Sequence, residues 1–178
     1  TFRAHTPASL IAICLLFILA GCGNPSQQDN EEMSNIHYQQ ALSHFSGGRY
    51  RTASIETKNA LQKNPKNIDA VVLTAKILNA VGQYQQAIEF LTQATPIPEH
   101  VGFKQQLATA YIGRKKYYSA LKALGSAETI NTSLPVELQL LGAQSYQGQG
   151  NVDTATSLYP EMLAPDPSRA RAYAGLTD

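Results

Sequence analysis

Gly48-Arg49-Tyr50-Arg51-Thr52-Ala53 recurs as Gly82-Gln83-Tyr84-Gln85-Gln86-Ala87, again as Lys115-Lys116-Tyr117-Tyr118-Ser119-Ala120, and more faintly as Gly150-Asn151-Val152-Asp153-Thr154-Ala155. The alanines closing these stretches, Ala53, Ala87, Ala120 and Ala155, stand 34, 33 and 35 residues apart. Helical apolar spacing flanks each stretch on both sides, so each marks the turn of a helix hairpin. One hairpin cannot bury its own apolar face. Stacked neighbours can, and a repeat of this length predicts a continuous core running through a stack.

Other positions keep the same period. Ala41, Ala75, Ala108 and Ala143 occupy a small-residue position in the first helix of each unit. Ala60, Ala94 and Ala127 do so late in the second helix, where Met162 stands in the fourth unit. Small residues at matched positions let antiparallel helices approach closely, and Tyr50, Tyr84 and Tyr117 wedge a ring beside each pair. Glycine at the turn allows a positive φ, and Pro65 after Lys63-Asn64 stops a helix. This pattern resembles the tetratricopeptide repeat, which implies an all-α, right-handed solenoid of antiparallel helix hairpins. Helices are predicted at 35–47 with 50–63, 68–81 with 84–95, 101–112 with 117–128, and 136–147 with 152–163. The units then span 35–67, 68–100, 101–135 and 136–167. Residues 168–178, with Tyr173 and Leu176 at core positions, read as the start of a further or capping helix. Lys115 in place of the turn glycine and Met162 in place of the small residue depart from the pattern.

From Leu10 to Ala20 the chain is apolar, yet far shorter than the roughly 20 residues a spanning helix needs, so residues 1–21 read as a targeting segment with Arg3 as its basic end. Its close, Leu19-Ala20-Gly21-Cys22, resembles the lipobox of bacterial lipoprotein signal peptides, which implies that Cys22 becomes the lipidated first residue of the mature chain. Residues 22–34 are polar and bear Gly23 and Pro25, and they are predicted to be a flexible tether.

The chain of 178 residues carries 14 Lys and Arg against 13 Asp and Glu, a balance that gives no electrostatic case for nucleic acid. Both cysteines, Cys14 and Cys22, belong to the leader or its end, so the repeats have no thiol for a disulfide and depend on packing. His37 and His44 lie seven apart on one helix without a cysteine or acidic ligand in register, so no metal site is expected. No nucleophile arrangement, phosphate-binding glycine loop or convergent carboxylate pair is present, and neither catalysis nor a cofactor is expected. Arg114-Lys115-Lys116, with Lys104 and Lys122 near, is the one dense basic cluster. It reads either as an ordinary solvated turn or as a docking patch for an acidic partner or anionic polysaccharide.

In tetratricopeptide proteins, first-helix positions line the inner face of the superhelix. Alignment places Asn35, Tyr38, Leu42 and Phe45 there, followed by Asp69, Val72, Lys76 and Asn79. Gln105, Thr109 and Ile112 come from the third unit, and Glu137, Leu140, Gln144 and Gln147 from the fourth. This lining is mixed, with amides for backbone hydrogen bonds and apolar patches such as Tyr38 with Leu42, as suits an extended peptide or a helix. Tyr38 and Leu42 stand where chaperone-tail binders carry Lys and Asn, which speaks against that role.

Tyr50-Arg51-Thr52-Ala53 through Leu61-Gln62-Lys63-Asn64-Pro65, with the lipobox, resembles the first repeat of the tetratricopeptide lipoproteins of exosortase/PEP-CTERM protein sorting and exopolysaccharide production. That resemblance implies a non-catalytic, membrane-anchored, periplasm-facing scaffold in a Gram-negative envelope, with a protein or peptide partner. Gly23 after the cysteine points to the outer membrane rather than the inner. Two other roles fit the same architecture: a lipoprotein of outer-membrane or pilus assembly, and the front end of a longer protein with a catalytic domain.

Overall fold

A computed structural model describes residues 25–94, 100–125, 130 and 134–163. Eight helices lie among them: α1 Pro25–Ser46, α2 Tyr50–Lys63, α3 Ile68–Ala80, α4 Tyr84–Gln93, α5 Val101–Gly113, α6 Tyr117–Leu124, α7 Val136–Gly148 and α8 Val152–Leu163. They pair as antiparallel hairpins, α1 with α2 and so on to α7 with α8, and each first helix also touches the first helix of the next hairpin. Cys22, Ala127, Tyr173, Leu176 and the leader lie outside the described residues.

The largest departure from the sequence reading is at the start. Residues 25–34 belong to α1 and are not a flexible tether. Proline is well suited to a first helical turn, where its missing N–H has no partner to lose. Gln27, Gln28, Glu31, Glu32 and Met33 are good helix formers. Residues 26–33 are all exposed, so burial does not hold them. Once Ser34 and Ala41 fix the helix, each residue added upstream gains a hydrogen bond without a new nucleus.

The four turns between paired helices are built alike. Gly48, Gly82 and Gly150 have φ of 72°, 77° and 80°, and Lys115 holds the same left-handed place at 57°. Each donates its N–H to the carbonyl three residues back, as from Gly82 to Asn79 at 3.0 Å and from Lys115 to Ile112 at 2.8 Å. The next residue reaches back five, as from Gln83 to Leu78 and from Lys116 to Tyr111, both at 2.8 Å. This pair of bonds is the Schellman motif, which satisfies the last carbonyls of the first helix. A Cβ added at Gly48, Gly82 or Gly150 would meet nothing within 4 Å, so glycine is needed there for φ and not for space.

Ala41, Ala53, Ala60, Ala75, Ala87, Ala108, Ala120, Ala143 and Ala155 are buried, and Ala94 is half-buried. Larger apolar side chains fill the space between hairpins. Ala41 and Ala53 share a cluster with Leu73 and Ile77, Ala75 one with Leu91 and Phe103, and Ala108 and Ala120 one with Leu138 and Leu158. Each cluster joins two successive hairpins, so the core is continuous along the array.

The tyrosines reach further than the sequence reading places them. The Tyr84 ring lies where a Cβ on Gly113 would be, 2.6 Å from that point, and Tyr117 covers Gly148 at 2.5 Å. Each ring therefore packs on the backbone of the following hairpin as well as beside its own. Val72 lies against Gly102 in the same way, 3.0 Å from its missing Cβ.

Lys115→Gly relieves a left-handed strain of about 1–2 kcal/mol and raises stability by about 1 kcal/mol, whereas Gly82→Ala lowers it by a similar amount, in denaturant titrations at constant slope. Gly113→Ala loses about 1 kcal/mol although alanine is the better helix former, because the Tyr84 ring must move. Combined with Tyr84→Ala, the loss is less than additive by at least about 0.5 kcal/mol.

Candidate functional site

α1, α3, α5 and α7 form one row, and the residues aligned to its face differ in how free they are. Asn35, Leu42, Asp69, Lys76, Glu137, Gln144 and Gln147 are exposed, while Tyr38, Phe45, Val72, Gln105, Thr109, Ile112 and Leu140 are half-buried. Asn79 is the exception. It is buried, and its side-chain amide donates to the Gln106 carbonyl at 2.9 Å and to Gln106 Oε1 at 3.1 Å. Its place in the face is taken up by the junction between the second and third hairpins, and its Oδ1 is left without a partner. The alignment could not show this, because Gln106 reaches Asn79 only when α5 packs on α3.

The densest part of the face is on the first two hairpins. The Phe45 and Tyr50 rings meet at 5.4 Å and 52°, and Lys76 Nζ stands 5.1 Å from the Phe45 centroid, within reach of its π face. Tyr38 packs on the Ala41, Leu73 and Ile77 cluster beside them. Burial, and then the negative charge of Asp69, hold the Tyr38 hydroxyl above its usual range. It therefore stays a neutral donor and acceptor at the edge of an apolar patch, with Leu42 exposed nearby and the Lys76 cation across it. An aromatic, an aliphatic, a cation and a carboxylate within two helices can hold side chains and backbone of a bound segment together.

Behind this patch a polar junction fixes α3 against the first hairpin. Ser34 Oγ donates to the Ala60 carbonyl at 2.9 Å, and Asn67 Nδ2 donates to Ser34 Oγ at 2.9 Å and Asn35 Oδ1 at 3.2 Å. Asn67 Oδ1 accepts from the Ala70 N–H at 3.0 Å and so caps α3. Asn35, exposed on α1, is thus held by the start of α3. Sequence reasoning missed Ser34 and Asn67, although an asparagine just ahead of an apolar helical run is a recognisable cap signal.

His37 and His44 are engaged locally. His37 Nδ1 is 2.8 Å from Glu56 Oε2 across the first hairpin, an acidic neighbour that the linear pattern did not reveal. Arg49 Nε donates to His44 Nδ1 at 2.9 Å. Among the described residues no group of three or more His, Cys, Asp or Glu could hold a metal ion, and no helix is long and apolar enough to cross a membrane. Arg114, Lys115, Lys116 and Lys122 are exposed, and Tyr118 stands 75% exposed among them.

This arrangement of hairpins is a tetratricopeptide-type fold. A thermophilic tetratricopeptide-repeat protein of Thermus thermophilus superposes with a TM-score of 0.65 at 23% sequence identity, covering 75% of this chain and 75% of its own. A family model described as anaphase-promoting complex, cyclosome, subunit 3 matches residues 19–94, the leader end and the first two hairpins. No curated protein matches the chain.

The Tyr38 hydroxyl supplies a direct check of the patch. Because its proton is held more tightly in the folded state than in the unfolded chain, the associated stability is present below about pH 10 and is lost as pH rises through the raised value. In a spectrophotometric alkaline titration, Tyr38→Phe removes a late-titrating tyrosine. Asp69→Asn moves that tyrosine only part of the way back, since burial is the larger cause.

Proposed function

We propose that this chain is a non-catalytic, lipid-anchored scaffold that holds an extended peptide or helix of a partner protein across its first-helix face. The observation that carries the reading is the open patch where Tyr38, Leu42, Phe45, Asp69 and Lys76 gather on two adjacent first helices. Its chemistry is mixed, so it takes a segment with both apolar and polar side chains. No side-chain arrangement suited to bond making competes with that use among the described residues. The family model that overlaps the first two hairpins is named for a subunit of a complex, which supports a role in assembly.

The location belongs to the same proposal. The short apolar run ending in Leu19-Ala20-Gly21-Cys22 supports export and lipid attachment at Cys22, which puts the repeats on the periplasmic side of a Gram-negative envelope. Gly23 supports the outer membrane. The resemblance of the first repeat to exosortase-associated lipoproteins supports protein sorting or exopolysaccharide export as the setting.

The test is affinity purification of the full-length lipidated protein from its native host in mild detergent, read by mass spectrometry. An export or sorting complex is expected with the native bait. It is expected to fall at least tenfold with a folded Tyr38→Glu and Leu42→Glu bait, because two charges then enter an apolar contact. Recovery of barrel-assembly or pilus components instead would replace the setting. Equal recovery by both baits would reject the patch. Cys22→Ser is expected to move the protein from the membrane to the soluble fraction.

A further inference from the structure

The turns from first to second helix gather along one edge of the array, because every hairpin runs in the same sense. Residues 47–53, 81–87, 114–120 and 149–155 supply that edge with Arg49, Arg51, Arg114, Lys115 and Lys116 against one carboxylate, Asp153. In a chain whose formal charge is only +1, this is a marked local excess. Arg49 is occupied by His44, but among the described residues Arg114, Lys115 and Lys116 are in no ion pair. Lys115 keeps its left-handed φ of 57° where the three sister turns use glycine. A backbone strain at an exposed cation is an observation from which a role can be inferred.

Exposed apolar side chains stand on the second, third and fourth turns, on both sides of the cations of the third. Val81 is 45%, Tyr118 75% and Val152 58% exposed. We propose that this edge docks an extended acidic segment of a partner protein, with carboxylates on Arg114, Lys115 and Lys116 and apolar side chains on Val81, Tyr118 and Val152. The valines decide between classes of polyanion. A uronic-acid chain can use cations and an aromatic ring, but it has no aliphatic side chains to lay on Val81 and Val152. A peptide has both kinds. Neighbouring helices about 8–10 Å apart and about 3.3 Å per extended residue set the spacing, so an apolar residue every third position matches successive turns. The guanidinium and ammonium groups of the third turn then meet the carboxylates beside the residue laid on Tyr118. This edge is separate from the first-helix face and does not depend on it.

The probe is a fluorescent synthetic peptide of repeated Glu-Glu-Val triplets, with a Gln-Gln-Val peptide and an alginate oligosaccharide of equal charge as controls. Binding to the full chain is followed by anisotropy at low and at physiological salt. The acidic peptide is expected to bind more tightly than both controls and to weaken with salt. Lys115→Gly is expected to weaken it about threefold while raising the melting midpoint by about 2–4 °C, so that affinity and stability move in opposite directions. Adding Arg114→Gln and Lys116→Gln is expected to take the loss beyond tenfold, and Tyr118→Ala to weaken binding with the salt dependence retained. Tyr38→Glu with Leu42→Glu is expected to leave this affinity unchanged, which separates the proposal from the first-helix reading. Equal binding by Lys115→Gly, alginate binding as tight as that of the peptide, or loss of binding in the Tyr38 and Leu42 variant would each overturn it.

Discussion

Where α1 meets α2, Ala41 and Ala53 present only methyl groups, and both are wholly buried in the cluster that Leu73 and Ile77 complete from the next hairpin. The close approach of paired helices at such alanines is the constraint on which the array depends. It brings the turns into one repeated geometry and leaves the larger side chains free to fill the space between hairpins. An added methylene group at these positions would force the helices apart, since interiors of this density have no spare volume. With no disulfide available to the repeats, that packing is the main source of stability.

Polar groups then fix how one hairpin sits on the next. Apolar clusters are tolerant of small slips, but a hydrogen bond is not. Asn67 links Ser34, Asn35 and the start of α3, so α3 has one seat on the first hairpin. Asn79 and Gln106 do the same between α3 and α5, with Asn79 Oδ1 left unpaired. A buried network strengthens its members while it is satisfied. The Tyr84 ring on Gly113 joins Asn79 and Gln106 at that second junction, and the Tyr117 ring on Gly148 serves the third.

These junctions divide the surface by chemistry. The first-helix face is mixed and partly buried, with its aromatic patch concentrated on two hairpins. The turn edge is exposed, with the cations Arg114, Lys115 and Lys116 on the third turn and an apolar side chain on each of the second, third and fourth. A repeat fold can carry both because each position in the unit recurs at one height in the stack, so a substitution in one unit alters a local patch without disturbing the core.

The repeated Tyr and Ala positions, the turn glycines and Pro65 were enough to define the hairpins, because short-range helical period and turn chemistry act within some tens of residues. The helix limits read from them agree with the structure at most ends. α1 differs because the extra residues are held by helix propagation, which composition weighed as tether could not show. That most of the aligned residues sit at least partly exposed on the first helices was legible for the same reason as the hairpins. Asn79 was not, nor were the links from Ser34 to Asn67, His37 to Glu56 or Tyr84 to Gly113, since each joins residues that meet only after two helices have packed. Lys115 lies between these cases. Its place in the turn was plain from the repeat, but its left-handed backbone and its position among exposed apolar side chains belong to the folded array. The sequence by itself determined the unit and its period, because those are set by local pattern. Only the tertiary structure decided which polar groups are used up in the stack and which are left free to meet a partner, because that depends on contacts between units.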